Sequence, residues 1–121
     1  MAGLPNTLNE SLSQIKGRAL SSVEFVQDYV HLRFDGAFLT AYTWPYLTVG
    51  VKTFSWGEGS YKDSLCSQIG IQVRDANIVQ GRALSIFFED GAILTVSLRD
   101  SDYRGPEAVQ FSSNDGAVWV V

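Results

Sequence analysis

Apolar and polar residues alternate along "YVHLRF", the segment from Tyr29 to Phe34. Alternation with a period of two predicts a β-strand with one apolar face. The Asp35-Gly36 pair that follows tolerates the positive φ angles of a two-residue type I′ turn, so the chain is predicted to return as "AFLTAY", with Phe34 opposite Ala37. The predicted inner face carries Val30, Leu32 and Phe34, and the opposite face carries Tyr29, His31 and Arg33.

A similar phrase appears twice, as "RFDGAFLTAY" and again as "FEDGAILTVS", which runs from Phe88 to Ser97. In the second phrase a two-residue turn would place Ile86 opposite the polar Thr95, which mixes the two faces of the hairpin. A three-residue loop over residues 89–91, with Gly91 in the left-handed conformation, places Ile86 opposite Leu94 instead. The two turns are therefore predicted to differ by one residue.

Each hairpin is preceded by a short amphipathic pattern that predicts a helix. The first pattern is "TLNESLSQI" and the second is "SYKDSLCSQIG". In both, a hydroxyl residue stands three positions before an acidic one, as in a helix capping box. The apolar positions are Leu8, Leu12 and Ile15 in the first and Tyr61, Leu65 and Ile69 in the second, and the capping pairs are Thr7 with Glu10 and Ser60 with Asp63.

These agreements predict one domain over residues 1–121, made of similar halves at about 5–54 and 60–121 joined by "SWGEGS". The predicted fold class is α+β and mainly β: antiparallel sheets from two similar helix-strand-DG-hairpin units, with two short helices packed on the sheet. A β-prone run follows each hairpin, "YLTVGVKTF" and "EAVQF", and "SSNDGAVWVV" adds a turn and a last strand. Coincidence is the alternative to duplication, since DG turns are common in antiparallel sheets.

Composition narrows the functional classes. The chain is 45% apolar and 18% charged, which is ordinary for a globular protein. A formal charge of −4 predicts no nucleic-acid partner and favours a basic protein partner. The N-terminal residues lack the pattern of a signal peptide and no apolar run is long enough to span a membrane, so we expect a cytoplasmic protein without membrane contact.

Candidate chemistry is sparse. Cys66 is the only cysteine, so it excludes an internal disulfide and is interpreted as a small, partly buried apolar residue. Neither a metal nor a cofactor is predicted, because the chain lacks ligand spacings for zinc or calcium and a phosphate-binding glycine loop. His31, the only histidine, is either an outward-facing general base or an ordinary strand residue paired with Thr40.

Two features favour recognition of a partner. Trp44, Tyr46 and Trp56 stand in or beside irregular segments, where aromatic residues either anchor interfaces or close the end of the core. Acidic residues accumulate late in the chain, in a run that is either a docking surface or simply solvated. These residues are Asp75, Glu89, Asp90, Asp100, Asp102, Glu107 and Asp115.

The quoted hairpins, together with "GPEAVQF" and the terminal "WVV", resemble small bacterial proteins of the toxin-immunity type. The resemblance implies an inhibitor that neutralises one cognate toxin, such as a basic nuclease, by occluding it. Our first hypothesis is therefore a protein-binding immunity protein with no catalytic residue. It places the partner surface at Trp56, Asp100, Asp102, Tyr103 and Glu107.

The alternative hypothesis is a small-ligand module or minor enzyme with a cleft between the halves. Tyr29, His31 and Arg33 would then form the wall of the cleft. A third hypothesis is a structural protein that dimerises through a sheet edge, so we expect either a monomer or a homodimer.

Overall fold

The computed structural model describes residues 7–114 and 116–121, and their fold is mainly β with two short helices. The N-terminal elements are α1 (Leu8–Leu12), a 3-10 turn (Ser13–Ile15), β1 (Ser22–Val26), β2 (Tyr29–Phe34), β3 (Ala37–Ala41), β4 (Tyr46–Val49) and β5 (Lys52–Phe54). The remaining elements are α2 (Tyr61–Cys66), β6 (Val73–Val79), β7 (Ala83–Phe88), β8 (Ile93–Ser97), a second 3-10 turn (Asp100–Asp102), β9 (Val109–Ser112) and β10 (Val118–Val120). The predicted fold class is confirmed.

The strands form two antiparallel sheets. Sheet I has the order β1-β2-β3-β9-β10, and sheet II has the order β5-β4-β8-β7-β6. The inward-facing residues of both sheets belong to one hydrophobic core, which also takes up the apolar sides of α1 and α2. The largest fully buried side chains include Phe34, Phe88, Phe111 and Tyr61.

Both hairpins have the predicted registers. In the first, Phe34 pairs with Ala37 across a two-residue turn in which Asp35 has a φ of 52° and Gly36 a φ of 105°. These positive angles are what a type I′ turn requires of its two central residues. Asp35 is held in this conformation by Arg18, whose guanidinium donates to the Asp35 carbonyl oxygen at 2.7 Å.

The second hairpin has the longer loop. Ile86 pairs with Leu94, and the Phe88 amide donates to the Ala92 carbonyl oxygen at 2.9 Å, which closes a loop over residues 89–91. Gly91 has a φ of 93°, in the left-handed region predicted for it. The difference of one residue between the two turns is confirmed.

The segments that follow the hairpins change sheets. β4 continues into β5 through a turn at Gly50, and this hairpin joins sheet II beside β8. β9 and β10 do the reverse, because they join sheet I beside β3. The β-prone run "YLTVGVKTF" thus forms two strands, and each sheet is completed by strands from the other part of the chain.

The two helices also lie against strands of the other unit. α1 contacts β6 and α2 contacts β1, and both of these are edge strands. Between the helices and the sheets, residues 17–20 and 70–73 pair antiparallel about a bridge between Ala19 and Gln72. Four backbone hydrogen bonds join the two segments, in two equivalent pairs. In the first pair, the Gly17 amide donates to the Val73 carbonyl oxygen and the Gly70 amide to that of Leu20. In the second, the Val73 amide donates to the Arg18 carbonyl oxygen and the Leu20 amide to that of Ile71. The assignment of halves to residues 5–54 and 60–121 stays a prediction.

The helix predictions differ in outcome. The Thr7 hydroxyl oxygen accepts a hydrogen bond from the Glu10 amide at 3.1 Å, so the first cap is confirmed. Ser60 makes no side-chain cap, because its φ of −96° and ψ of 4° are far from the extended conformation of a capping residue. α2 ends at Cys66, so Ile69 falls outside its apolar side and is 44% exposed. Cys66 is exposed as well, contrary to its interpretation as a partly buried residue.

Candidate functional site

Trp44 and Trp56 form a stacked pair, which we call the tryptophan stack. Their ring centroids are 3.8 Å apart and their planes differ by 2°. Trp44 follows β3 and Trp56 follows β5, so the pair depends on the crossing of the chain from sheet I to sheet II. Tyr61 of α2 meets Trp56 edge-on at 5.8 Å and donates its hydroxyl hydrogen to the Pro45 carbonyl oxygen. The stack is thus held from the helix side.

A cation lies over each ring of the tryptophan stack. The guanidinium carbon of Arg104 is 5.8 Å from the Trp44 centroid, and the ammonium nitrogen of Lys62 is 5.5 Å from the Trp56 centroid. Both distances fall within the range of cation–π attraction. Trp56 is 46% exposed, so the stack presents an aromatic surface between two cationic groups.

Beside Trp44 lies a hollow of about 600 Å³, which we call the arginine hollow. Arg82 precedes β7 and Arg99 follows β8, and the pairing of these two strands brings both residues to the same end of sheet II. Arg104 enters from the segment after the second 3-10 turn. The remaining wall includes Trp44 and Tyr46, so three cations and two aromatic rings meet in one place.

Among the described residues, Asp102 is the one carboxylate that lines the arginine hollow. The Ser97 hydroxyl donates to its Oδ2 atom at 2.5 Å, and the Nε atom of Arg99 lies 3.3 Å from the same oxygen. The Ser97 hydrogen bond and the charge of Arg99 hold the pKa of Asp102 below its usual range. Asp102 is therefore ionised and held by Ser97 and Arg99 of the same chain, and it positions Arg99.

The predicted partner-binding residues do not all lie together. Trp56 and Asp102 belong to one surface, because Trp44 contacts Trp56 and lines the arginine hollow with Asp102. Asp100 is exposed on the 3-10 turn, whereas Tyr103 is half-buried and packs against the core. Glu107 lines a neighbouring hollow.

Two of the other late acidic residues, Asp75 and Asp90, have local roles. Asp75 forms an ion pair with Lys16 at 3.4 Å, and the Ala76 amide donates to its carboxylate, which lowers the pKa of Asp75. Asp90 lies in the second hairpin turn and accepts from the Gln68 side chain. Asp115 lies outside the described residues. The acidic run is therefore distributed over separate turns and strand ends.

The alternative site residues lie on the outer face of sheet I. The Nδ1 atom of His31 is 2.7 Å from the Thr40 hydroxyl oxygen, so the predicted pairing across the hairpin is confirmed. Tyr29 contacts the His31 ring edge-on at 5.1 Å, and Arg33 lies over a neighbouring ring on this face, that of Phe38.

The predicted cleft wall does not form from these three residues together. A hollow of about 340 Å³ includes Tyr29, Tyr42 and Arg104 but neither His31 nor Arg33. The reason is the direction of β2, because Tyr29 is at the end of this strand nearest the hollow. His31 and Arg33 follow at intervals of two residues, and each lies farther from the hollow than the residue before it. Burial, with the charge of Glu107, raises the pKa of Tyr42 in this hollow.

Residues 7–114 and 116–121 contain no group of three histidine, cysteine or acidic side chains placed to hold a metal ion. Over the same residues, no helix is long and apolar enough to cross a membrane.

No family model, curated protein or solved structure matches this chain. Its function is therefore inferred from its own surfaces.

Sequence reasoning missed the three arginines of the hollow as site residues. The register of the second hairpin was a usable signal for two of them, because pairing Ala83 with Ser97 brings the flanking Arg82 and Arg99 together. Arg104 and Trp44 had no such signal, since their position depends on which sheet the next strands join.

Proposed function

We propose that this chain is a binding protein that recognises another protein through the tryptophan stack and the arginine hollow. The observation that carries the proposal is the stacked pair itself, with Trp56 half exposed and a cation over each ring. Tryptophan, tyrosine and arginine are the residues that most often dominate the binding energy of protein interfaces. All three occur here side by side, including Tyr46, which is 38% exposed.

The fixed position of the Trp56 ring supports a role in binding a protein partner. Stacking on Trp44 and the edge contact with Tyr61 restrict the Trp56 ring before any partner arrives. Binding then costs little side-chain entropy, because the ring is already in a defined position. An aromatic group that is both exposed and fixed is suited to insertion into a partner's pocket.

Binding is favoured over catalysis because the one histidine, His31, lines neither the arginine hollow nor the neighbouring one, and the Asp102 carboxylate is engaged by its neighbours. The His31 ring pairs with Thr40, and the Asp102 carboxylate pairs with Ser97 and Arg99. The specific form that we propose is an immunity or inhibitor protein that occludes a bacterial toxin. The net charge of −4 supports it, since an acidic inhibitor is attracted to a basic nuclease over a long range.

The genes on either side of the one that encodes this chain provide the test. Each is expressed alone and together with this protein, and growth and copurification are measured. We expect one neighbour to arrest growth alone, to be harmless in coexpression, and to copurify with the chain. Failure of both neighbours to bind the chain would contradict the immunity assignment.

Trp56→Ala then tests the surface. Loss of an interface hot spot costs about 2 kcal/mol or more, which corresponds to a roughly 30-fold weaker complex. The control is Val118→Ala, at an exposed apolar residue on the edge strand β10. Equal binding by the two variants would mean that the partner docks elsewhere.

The small-ligand hypothesis is favoured by one observation, the size of the arginine hollow. Its volume of about 600 Å³ lies in the range of small-molecule sites, about 300–1,000 Å³. We test it by thermal unfolding in the presence of small organic anions. A rise in melting temperature that Arg82→Gln abolishes would support a ligand role for the hollow, and no rise with any anion would contradict it.

A further inference from the structure

We propose that the arginine hollow receives a carboxylate group from the partner protein, supplied by an aspartate or glutamate side chain with apolar neighbours. This inference rests on the proposed binding function and names the chemistry of one contact within it. It concerns the local contact and not the net charge of the partner.

Charge within the hollow is unbalanced. In the part of the chain that the structure describes, the ion pairs within 4.0 Å are Lys16 with Asp75 and Arg99 with Asp102. Arg82 and Arg104 thus have no carboxylate partner among residues 7–114 and 116–121. An acidic chain keeps three of its nine cationic side chains around one hollow, and two of them are not neutralised. Charge complementarity calls for an anionic group there.

Arg104 is positioned before any anion binds. Its Nη1 atom donates to the Asp28 carbonyl oxygen at 3.0 Å, and its guanidinium carbon lies over Trp44. A guanidinium has five donors in a planar fork that matches a carboxylate, so one bond to a carbonyl leaves several donors free. A side chain that is already ordered loses less entropy when it binds.

A carboxylate fits this hollow better than a phosphate chain. Asp102 already places one negative charge beside Arg99, so the excess positive charge is that of two arginines. Glu107 lines the adjoining hollow, and the whole chain is acidic, so an extended polyanion would be repelled. The Trp44 and Tyr46 rings on the wall suit apolar residues next to the carboxylate.

The probe is a blocked peptide, Gly-Leu-Glu-Glu-Leu-Gly, compared with its glutamine counterpart and with inorganic phosphate. Binding to the full chain is followed by nuclear magnetic resonance, through the arginine Nε–H and tryptophan indole signals. We expect saturable shifts with the glutamate peptide and at least tenfold weaker binding of the glutamine peptide. Arg82→Gln and Arg104→Gln are each expected to weaken the glutamate peptide at least tenfold.

The matched control is Arg33→Gln. Arg33 is also exposed and also lies over an aromatic ring, at 5.5 Å from the Phe38 centroid, but on the outer face of sheet I. It is expected to leave peptide binding unchanged. Circular dichroism of all three variants shows whether the fold is intact, and Arg82→Gln tests the site if Arg104→Gln does not fold.

Three results would overturn the inference: equal binding of both peptides, no saturable shift of the arginine signals, or binding of phosphate without binding of the peptide. Failure of the inference is distinguishable from failure of the proposed function. If Trp56→Ala weakens a toxin complex and the arginine variants do not, the binding function stands and the carboxylate contact is wrong. If the peptide binds as expected but neither neighbouring gene product does, the immunity function is wrong and the hollow still accepts a carboxylate.

Discussion

Tyr61→Phe removes one buried hydroxyl group and leaves the aromatic packing in place. Tyr61 is 1% exposed, and its hydroxyl donates to the Pro45 carbonyl oxygen at 2.5 Å. Its ring meets Trp56 edge-on at 5.8 Å and Phe25 at 6.3 Å, contacts that a phenylalanine retains. The variant therefore isolates the hydrogen bond that ties α2 to the segment before β4.

The expected cost follows from the carbonyl oxygen left behind. Loss of a donor to a buried acceptor destabilises a protein by about 1–2 kcal/mol. For a chain of 121 residues, 1 kcal/mol corresponds to about 4 °C in melting temperature. We expect the Tyr61→Phe protein to melt about 4–8 °C below the native protein at pH 7.

The difference depends on pH, because burial raises the pKa of the Tyr61 phenol above its ordinary value of 10.0. Above pH 10 the unfolded chain loses this proton while the folded chain keeps it, so the native protein loses stability as the pH rises. The limiting slope for one group is about 1.4 kcal/mol per pH unit. The variant lacks the phenol, so its disadvantage should shrink above pH 10 and reverse near pH 11.

Urea unfolding followed by far-ultraviolet circular dichroism, at pH 7, 9, 10, 10.5 and 11, measures this difference. The control is Tyr46→Phe, whose hydroxyl has no hydrogen bond within residues 7–114 and 116–121 and whose side chain is 38% exposed. It should change the free energy of unfolding little at any pH. A Tyr61→Phe protein that is as stable as the native one at pH 7, or a difference that stays constant to pH 11, would refute the reasoning.

Two further substitutions test other parts of the fold. Gly36→Ala should destabilise the protein by more than 1 kcal/mol, since Gly36 has a φ of 105° and a Cβ atom there would lie 3.2 Å from the Asn114 side chain. The control is Gly105→Ala, at a glycine with no such neighbour and no positive φ. It should be nearly neutral in the same urea assay. Asn9→Ala should lower the free energy of unfolding by about 1–2 kcal/mol and accelerate hydrogen exchange at the Ile78 amide. The reason is that the Asn9 side chain is hydrogen-bonded to both the amide and the carbonyl oxygen of Ile78 on the edge strand β6. Unchanged exchange would show that these hydrogen bonds do not protect the Ile78 amide.

Local patterns were sufficient for the hairpins. The alternation around Asp35-Gly36 and the apolar matching around Gly91 each have one register that keeps a uniform inner face, and both registers are observed. Alternation does not say which edge of which sheet a later strand joins. β3 and β8 are both free edges after the hairpins form, and either is compatible with the apolar residues of β4 or β9.

That ambiguity also limited the prediction of the site. Trp56 was identified from its irregular surroundings, but its contact with Trp44 depends on the crossing between sheets. Asp102 was interpreted as a partner-binding residue. Its hydrogen bond with the Ser97 hydroxyl becomes evident only when the second 3-10 turn is placed beside the end of β8. Residues brought together by a strand register were within reach of sequence reasoning, and residues brought together by the strand exchange were not.

The exchange of hairpins between sheets has a consequence for folding during synthesis. Sheet II is complete in strands once residue 97 has left the ribosome, because β8 is its last strand in chain order. Sheet I, although it begins at β1, waits for β9 and β10, which end at residue 120. Until β9 emerges, β3 has one unpaired backbone edge and Leu39 lacks its partner Phe111. The part of the protein that is made first is therefore the part that is finished last.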